Sequence, residues 1–563
     1  MPLSSLVQQK RERQAKTGRV HEVFNILTKK SKSKSKALPK SLPAFNIFPY
    51  ETQKKILNNF KDLLRYKLRD WIRKDKLNYD LLSGNHNAVD FLSLPENKGI
   101  IYYELLSGNT NPKIIPLLKE RIEKERVMTY AELREEDNKI NWSAVSKNIN
   151  LIEILEDEKN EDKLDLKEIS GNTKAYKLLL RLLQKGKIID FGELSRNPNK
   201  NAIQLLTMPN YIGNIKGREL SENTNSLALN IFIRNPEYLN QVDWEVLSEN
   251  TNNTAIKLLK KKWEEEKKLL TSTSNVMRYV QLYNEGRVIV WRNVCGNHNA
   301  IGLLRKKIAE EKQLTLETLL ENIKIEKEKK KIYWRGVDTE VITRETDWRI
   351  DWSILSGNHN AIRLLRKKIK EDKQLSESDL HWLKEFEKVN WEVLSGNPNA
   401  IELLTENYDD IDWYALCSNI NPDAIDLLIK KIAEENKLSK DVLDSLKLNE
   451  KVNWKVLSGS LNPRVIELLE QNEDKIDWGA FSSNTSPRAM ELLRKRVWEE
   501  KRIVISDISN KIDWGAFSSK TSPRAMELLW KRVLKEEEEI LSKISNKIDW
   551  DKLSLNPSIF IIA

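Results

Sequence analysis

Two stretches near the C-terminal end of the chain are almost identical, and they constrain the fold more than any other feature of the sequence. Residues 476–497 read IDWGAFSSNTSPRAMELLRKRV, and residues 512–533 read IDWGAFSSKTSPRAMELLWKRV. Over 22 positions they differ only at Asn484/Lys520 and Arg494/Trp530, with an offset of 36 residues. Such a pair is a tandem duplication, which indicates a chain built from repeated units.

The same pattern recurs upstream in more divergent copies. It reads Asp/Asn-Trp-x-x-Leu-Ser-x-Asn, then a loop, then Ala-Ile-x-Leu-Leu. Successive aromatic positions are often about 24 residues apart, as from Trp454 to Trp478; elsewhere the offset is 36 to 47 residues, and it is 61 between Trp291 and Trp352. Tyr79, Tyr103 and Phe191 take the Trp position in three copies, and we place degenerate copies at Leu166 and Gly217. We interpret ten tryptophans as structural repeat anchors, namely Trp142, Trp244, Trp291, Trp352, Trp391, Trp413, Trp454, Trp478, Trp514 and Trp550.

Each unit has the signals of a short helical hairpin. Asp or Asn before the Trp is a favourable N-cap, and Ser-Gly-Asn or Ser-Ser-Asn ends the first helix. Asn397-Pro398 and Asn421-Pro422 then predict the start of a second helix, since Pro is well tolerated at the first helical position. Its Ala-Ile-x-Leu-Leu segment places apolar residues on one face. The unit is therefore predicted to be two helices in about 24 residues.

Stacked hairpins of this kind predict an all-α fold, a superhelical α-solenoid whose longer units carry an extra or longer helix. We divide the chain into a basic disordered tail (1–41), a helical N-terminal cap (42–76) and the α-helical repeat array (77–563). Residues 315–328 are predicted to form one of the extra helices. Residues 555–563 begin another unit and stop, which predicts an apolar half-unit without a neighbour.

The net charge of +11 is concentrated at the N-terminus. Residues 1–40 contain eleven Lys or Arg and two Glu, so +9 of the charge lies there and +2 on residues 41–563. A disordered lysine-rich tail can bind nucleic acid without sequence preference, or act as a nuclear import signal. The candidate contact residues of the tail are Lys29, Lys30, Lys32, Lys34 and Lys36.

Basic clusters recur after the Leu-Leu pair, with acidic residues about one turn later. If the units stack, a basic ridge and an acidic ridge should lie side by side on the array. One interpretation is a solvated face with many ion pairs. The other is a docking surface for an oppositely charged partner protein, with the candidate contacts Arg305, Lys306, Arg366, Lys367, Arg494 and Lys495. Trp263, Trp498 and Trp530 lie in or beside these charged stretches, either on a contact surface or against an inserted helix.

The sequence contains no recognisable catalytic motif. A phosphate-binding loop, a dinucleotide fingerprint, a nucleophile elbow and a kinase signature are all absent from it. His86, His298 and His359 share one repeat position with Pro398, which indicates a structural role. Cys295 and Cys417 occupy the Ser position and suggest buried residues in a reducing, intracellular compartment. We therefore expect no enzyme activity, no metal or cofactor, no small-molecule substrate and no membrane association.

The motifs LSGNPNAIELL (394–404), KIDWDKLS (547–554) and LSLNPSIF (553–560) resemble repeats of large nucleocytoplasmic DNA viruses that infect protists. These Trp and Asn-Pro repeats occur in many of their proteins, and the resemblance covers most of residues 77–563. It implies a viral origin, with the host cytoplasm or nucleus, or the virion, as the location, and assigns no chemistry. Some related viral proteins carry an F-box-like N-terminal segment, to which Leu42-Pro43, residues 48–51 and Ile56-Leu57 are similar.

Three functional hypotheses follow. The leading one is a non-catalytic scaffold that mediates protein–protein interaction, because solenoids present extended surfaces. The alternative is a virion or genome-associated protein that binds nucleic acid through its basic tail. The third is an F-box-like adaptor.

Overall fold

The computed structural model describes residues 65–270, 281–282, 285–311, 349–460, 462, 464–499, 512–538 and 547–563. By internal contacts the chain divides into two units, residues 67–561 and residues 1–66 with 562–563. The predicted tail, the F-box-like segment and the predicted helix at 315–328 lie outside the described residues. In the part that is described, no helix is both long enough and apolar enough to cross a membrane.

The all-α fold is confirmed, and the first helix of the hairpin occurs in fifteen described copies, which we number repeats 1 to 15. The degenerate copies at Leu166 and Gly217 are among them, as repeats 4 and 6. In chain order the first helices are Tyr79–Gly84, Tyr103–Gly108, Trp142–Lys147, Leu166–Gly171, Phe191–Arg196, Gly217–Glu222, Trp244–Glu249, Trp291–Gly296, Trp352–Leu355, Trp391–Gly396, Trp413–Leu416, Trp454–Ser458, Trp478–Phe481, Trp514–Phe517 and Trp550–Leu555.

The second helices differ in length, from four residues to 18. They are Val89–Leu92, Ile115–Val127, Ile152–Leu155, Tyr176–Gln184, Lys200–Leu206, Ser226–Arg234, Asn253–Leu270, Ile301–Glu311, Ile362–Asp372, Ile401–Glu406, Ala424–Glu435, Val465–Glu470, Pro487–Glu499 and Pro523–Glu538. Repeat 15 has the 3-10 helix Pro557–Ile559 in this place.

Short elements connect the repeats. Three inserted α-helices follow repeats 2, 9 and 11: Tyr130–Glu135, Glu377–Trp382 and Lys440–Ser445. Two strands, β1 (Tyr66–Leu68) and β2 (Phe560–Ile562), form a two-stranded sheet. The remaining 3-10 helices are Lys74–Lys76, His86–Ala88, Pro95–Ile100, Pro112–Ile114, Glu158–Lys163, Ile212–Asn214, Pro236–Gln241, Glu385–Glu387, Tyr408–Asp410, Leu448–Glu450 and Glu473–Lys475.

Most of the first helices are capped as the sequence predicts, whereas those of repeats 2, 6 and 8 have no side-chain cap. Asp477, for example, accepts a hydrogen bond through Oδ1 from the backbone N–H of Ala480 at 2.8 Å, which satisfies a donor that has no intrahelical partner. Repeat 6 departs from the pattern, with Gly217 in the anchor position. A Cβ there would lie 1.8 Å from the carbonyl oxygen of Gln241, so only glycine fits beside the returning backbone.

A continuous apolar core runs through the array. The third residue after each anchor is fully buried and packs between the helices of its own and neighbouring repeats. Together with the Leu-Leu pair of the second helices, these side chains supply the hydrophobic stabilisation that one hairpin cannot provide alone. The fifteen residues are Leu82, Leu106, Val145, Ile169, Leu194, Leu220, Leu247, Val294, Leu355, Leu394, Leu416, Leu457, Phe481, Phe517 and Leu553.

Three positions after each of these buried residues lies a polar side chain, which donates a hydrogen bond to the adjacent repeat in every repeat except repeat 12, where Asn462 makes the link instead of Ser460. We call this series the asparagine ladder. Its member Asn397 is buried, donates from Nδ2 to the carbonyl of Ser356 at 3.0 Å, and accepts from the N–H of Asn399 through Oδ1. The ladder residues are Asn85, Asn109, Asn148, Asn172, Asn197, Asn223, Asn250, Asn297, Asn358, Asn397, Asn419, Ser460, Asn484, Lys520 and Asn556.

The ladder corrects the predicted start of two second helices. Pro398 and Pro422 do not open a helix, because the helices of repeats 10 and 11 begin at Ile401 and Ala424. The intervening residues form a turn closed by the ladder asparagine. Buried amide groups require hydrogen-bond partners, and the turn provides them.

The ladder also joins the last repeat to the first. Asn85 of repeat 1 donates to the carbonyl of Ser554 of repeat 15 at 2.8 Å, and Asn87 donates to the carbonyl of Pro557 at 3.1 Å. The backbone N–H of Asn78 donates to Ser554 Oγ at 2.9 Å. These bonds reproduce those between consecutive repeats, where Asn109 donates to the carbonyl of Ser83 at 2.9 Å. Within residues 67–561, the array is therefore closed.

This closure corrects the prediction for residues 555–563. The last half-unit does have a neighbour, since the carbonyl of Ser558 accepts from Arg69 Nε at 2.8 Å and that of Ile559 accepts from the N–H of Arg69 at 2.9 Å. Ile559 and Phe560 are buried. Of the predicted helical cap at 42–76, the structure describes residues 65–76, which form β1 and a 3-10 helix and contain no α-helix.

Anchor burial follows the length of the second helix. Among the anchors, Trp244, Trp291, Trp413, Trp478 and Trp514 are buried, and all five belong to repeats with a second helix of at least eleven residues. Repeats with short second helices cover the indole less. The half-buried anchors are Trp142, Trp352, Trp391, Trp454 and Trp550, of which only Trp352 has a long second helix.

Candidate interaction surface

The predicted basic clusters divide into a buried part and an exposed part. In these clusters, the third residue after the Leu-Leu pair is basic and lies over the anchor ring of its own repeat. Its cationic group is 5.0–5.6 Å from the ring centroid. Cation–π contact and packing of the aliphatic stem together cover the indole. The pairs are Lys262 over Trp244, Lys307 over Trp291, Lys368 over Trp352, Lys431 over Trp413, Arg496 over Trp478 and Arg532 over Trp514.

Among the predicted contact residues, Arg366 bridges neighbouring repeats. Its Nη2 lies 3.0 Å from Glu402 Oε2 and 3.1 Å from Glu406 Oε1, on the second helix of repeat 10. Lys367 lies 3.9 Å from Glu371, one turn along its own helix. These ion pairs neutralise the cations locally, as expected for a solvated face.

The same holds for repeat 13, where Arg494 pairs with Glu491 at 3.0 Å and Lys495 with Glu473 at 2.8 Å. Arg305 and Lys306 differ, because both are exposed and neither forms an ion pair with any described residue. Among the described residues of the predicted set, these two are the cations without an ion pair. The predicted tail residues, Lys29 to Lys36, lie outside the described residues.

A second surface, which the sequence did not predict, lies at the helices inserted after repeats 9 and 11. The inserted helices after repeats 9 and 11 begin at equivalent serine N-caps, Ser376 and Ser439, whose hydroxyls accept from the N–H groups of Asp379 and Val442. Each helix has six residues and turns half-buried leucines, such as Leu380, toward the array. The outward side of each carries large apolar side chains.

We define the insert surface as the exposed apolar side chains on and beside these two helices: Leu375, Trp382, Leu438, Val442 and Leu448. Trp382 is 81% exposed and Leu448 is 64% exposed, although indole and leucine side chains are ordinarily buried in a folded domain. Leu375 and Leu438 occupy equivalent positions, one residue before the serine caps, and both are exposed. After repeat 2, Val127 at the end of the second helix and Tyr130 at the start of the inserted helix are also exposed. Exposed apolar groups of this size mark interaction sites.

The insert surface could have been found from one sequence signal. Trp382 lacks the preceding Asp or Asn and the following Leu-Ser that accompany the anchors Trp352 and Trp391 on either side of it, so the core has no place for it. The capped segment at Ser376 predicts a helix that is too short to bury a tryptophan on its own. Spacing alone could not reveal this, because the anchors occur at irregular intervals.

The three further tryptophans have different environments. Trp263 is buried, packs edge-on against Trp291 with ring centroids 5.0 Å apart, and donates from Nε1 to Glu310 at 2.9 Å. Trp530, on the second helix of repeat 14, is 42% exposed. The side chain of Trp498 lies outside the described residues.

The histidines of the shared position lie on the turns of the ladder. His298 Nδ1 is 3.2 Å from Asn358 Oδ1, and His86 Nδ1 is 3.1 Å from Thr110 Oγ1. The rings of His298 and His359 lie against each other with centroids 5.1 Å apart. The backbone carbonyls of His298 and His359 accept hydrogen bonds from the side chains of Asn360 and Asn399. Proline has the same carbonyl, which explains why it can replace histidine at this position.

The cysteines replace the serine whose hydroxyl accepts the N–H of the next N-cap residue. Ser458 Oγ accepts from Asp477 N–H at 3.0 Å, and Cys417 Sγ accepts from Asn453 N–H at 3.4 Å. Burial raises the pKa of the Cys417 thiol to about 12 and raises that of Cys295 as well. Both thiols therefore stay protonated and unreactive. Across the described residues, no group of three or more His, Cys, Asp or Glu side chains is arranged to hold a metal ion.

Fold and surface together define an all-α repeat protein with a closed array, whose inserted helices expose apolar side chains. Comparison of the chain with protein-family models, with curated proteins and with solved structures finds no match.

Proposed function

We propose that the chain is a non-catalytic repeat scaffold that binds a partner protein, and that the insert surface makes the contact. The observation that supports this proposal is the exposure of Trp382 on its capped helix, of Leu448 on a 3-10 helix, and of the equivalent leucines Leu375 and Leu438 just before the caps. Tryptophan dominates the binding energy of many protein interfaces, because a buried indole contributes a large rigid contact area.

The array favours this use of the inserted helices. Each helix is held at both ends, by a serine N-cap and by a following 3-10 helix, Glu385–Glu387 or Leu448–Glu450. A side chain presented on an ordered element loses less conformational entropy on binding than one in a flexible loop. The partner expected here carries an apolar groove for an indole, with a rim of polar groups.

Quantitative affinity capture from cells that contain the partner would test the proposal. Trp382→Ser combined with Leu448→Ser should abolish retention of specific partners without unfolding the array. Trp530→Ser is the matched control, because Trp530 is also partly exposed but lies on a second helix. Equal retention by wild type and the double variant would contradict the proposal, as would equal loss in the control.

We further propose that the protein originates from a large DNA virus. The support for this origin is the resemblance of the motifs at 394–404 and 547–560 to the Trp and Asn-Pro repeats of such viruses. In this setting the partner would be a host or virion protein inside the infected cell.

A second function, nucleic-acid binding by the tail, is supported by its charge of +9 out of a total of +11. Full-length protein should shift nucleic acid in a gel assay, with an affinity that falls steeply as salt is raised. A variant with Gln at Lys29, Lys30, Lys32, Lys34 and Lys36 should lose most of this binding. Unchanged binding at physiological salt would contradict a role for the tail.

A further inference from the structure

A pocket of about 230 Å³ opens in repeat 7, between the anchor helix, the second helix and the 3-10 helix Pro236–Gln241. One wall is apolar and includes Leu239, Leu258 and part of Trp244. The other wall carries Lys261, Lys262 and Arg287 together with a single carboxylate, that of Glu265. The lining therefore combines a small apolar surface with an excess of positive charge.

Lys262, like Lys431 of repeat 11, differs from the equivalent cations of repeats 2, 8 and 9. There, the cation over the anchor ring also pairs with a carboxylate one turn later: Arg121 with Glu125 at 2.9 Å, Lys307 with Glu311 at 3.2 Å and Lys368 with Asp372 at 2.7 Å. Lys262 lies 5.0 Å from the Trp244 centroid, yet forms no hydrogen bond or ion pair with any described residue. A half-buried ammonium group with no bound anion is costly.

The carboxylate one turn after Lys262 does not pair with it. Glu266, one turn later on the helix, is fully buried and accepts the backbone N–H of Ile289 through Oε1 at 3.0 Å. Burial raises the pKa of Glu266 to about 8 and lowers the pKa of Lys262. Glu266 thus fixes the chain that leads into repeat 8, and the Lys262 ammonium group is left facing the pocket.

Arg287 is held in position on the opposite side of the pocket. Its guanidinium donates to Asn240 Oδ1 and, at 3.2 Å, to Glu285 Oε2. A guanidinium and an ammonium group that face one cavity are the groups by which proteins hold phosphate, since both donate charge-assisted hydrogen bonds. Lys261 adds a third, exposed cation at the rim.

We propose that this pocket binds a small phosphate monoester, with the phosphate held by Lys262, Arg287 and Lys261 and the organic part against Leu239 and Leu258. The volume is below the roughly 300–1,000 Å³ of sites for drug-sized ligands, so the organic part is no larger than a single ring. The cations favour a dianion over a monocarboxylate, because three positive groups line the pocket beside two carboxylates, Glu265 in the lining and Glu285 paired with Arg287. This site goes beyond the scaffold function and does not depend on it.

The proposal can be tested by titrating the full-length protein with phenyl phosphate, with inorganic phosphate and benzoate as comparison probes, by calorimetry. Phenyl phosphate should bind best and benzoate worst. Lys262→Gln should weaken phenyl phosphate binding about tenfold or more, the loss expected for a charge-assisted hydrogen bond. Lys431→Gln is the matched control, because Lys431 lies 5.1 Å over Trp413 at the equivalent position.

Arg287→Gln provides a second test on the other wall, should Lys262→Gln fail to fold. It should also weaken binding about tenfold or more. Equal affinity of wild type and either folded pocket variant would overturn the proposal. So would an equal loss in Lys431→Gln, which would place the binding elsewhere, or a preference for benzoate over phenyl phosphate.

Discussion

The side-chain amide of Asn85 donates a hydrogen bond to the backbone carbonyl of Ser554, 2.8 Å away and 469 positions later in the chain. This bond is a member of the asparagine ladder, formed between the first and last repeats. It makes the closure of the array a property that single substitutions can test.

Asn85→Ala should therefore destabilise the array as much as a substitution in the middle of it. Loss of a buried amide leaves the carbonyl of Ser554 without its donor, at a cost of about 1–3 kcal/mol. Asn197→Ala, which removes the same kind of bond to Ser170, is the matched variant. Urea denaturation monitored by circular dichroism measures both. A negligible effect of Asn85→Ala beside a clear effect of Asn197→Ala would contradict closure.

Hydrogen exchange offers an independent check without any substitution. The amide of Asn78 donates to Ser554 Oγ at 2.9 Å, and the amide of Asp243 donates to Ser221 Oγ at 3.1 Å. In an open array the terminal repeat frays and its amides exchange fastest. In a closed array the peptide containing Asn78 should be protected to the same degree as the peptide containing Asp243. Much faster exchange at Asn78 would mean that the first and last repeats separate in solution.

Trp478→Ala should cost about 3–5 kcal/mol, because it empties a packed aromatic site between Phe481 and Arg496. Trp454→Ala should cost less, about 1–3 kcal/mol, since this indole is only half-buried in its short repeat. Denaturant unfolding of the two variants tests the order. Equal costs would show that the second helix does not determine how much each anchor contributes.

Lys520→Asn should stabilise the protein, by about 1 kcal/mol at neutral pH. Lys520 takes a ladder position and donates from Nζ to the carbonyl of Asn484 at 2.6 Å, while burial lowers its pKa to about 8. Between about pH 8 and 10.5 the unfolded chain retains a proton that the folded chain releases. Stability should thus increase with pH through this window and decrease as pH falls toward 8.

The Lys520→Asn variant should lose that pH dependence. Urea midpoints at pH 7.5 and 9.5 compare it with wild type and with Lys547→Asn, a change at an exposed lysine. A pH dependence that persists in Lys520→Asn would assign it to another group.

Cys417→Ser should leave stability unchanged within about 0.5 kcal/mol, because serine fills this position in most repeats and its hydroxyl accepts the same N–H. In the native wild-type protein, Cys417 should resist alkylation at pH 8, since its thiol is buried and its pKa is raised to about 12. Mass spectrometry of alkylated peptides measures this. Rapid labelling of Cys417 under native conditions would show that repeats 11 and 12 separate locally.

The hairpin was predictable from the sequence because its signals are local. The Asp477 N-cap, the Trp478 anchor and the buried Phe481 lie within five residues, and propensity and periodicity act at that range. The asparagine ladder was not predicted, because asparagine in Ser-x-Asn is equally typical of a helix end and the bond from Asn85 to Ser554 joins distant positions.

The candidate site was predicted in part, for a similar reason. The basic clusters were recognised, but pairing of Arg366 with Glu402 depends on the stacking of two repeats. The Lys262 pocket depends on Lys262 and Arg287 lining one cavity, which no local sequence pattern contains. The insert surface could be predicted only from Trp382, which lacks the motif of an anchor and therefore has no place in the core.

Duplication of residues 476–497 as residues 512–533 inserted a whole repeat into a stack whose ends meet. In an open stack such an addition lengthens one end and leaves the other interfaces as they were. In a closed array, the angle between every pair of adjacent repeats must change slightly, so that the last repeat still contacts the first. Relatives that gained or lost a unit should therefore differ slightly in the angle at every interface between repeats. Insertion of only part of a repeat should prevent the first and last repeats from meeting.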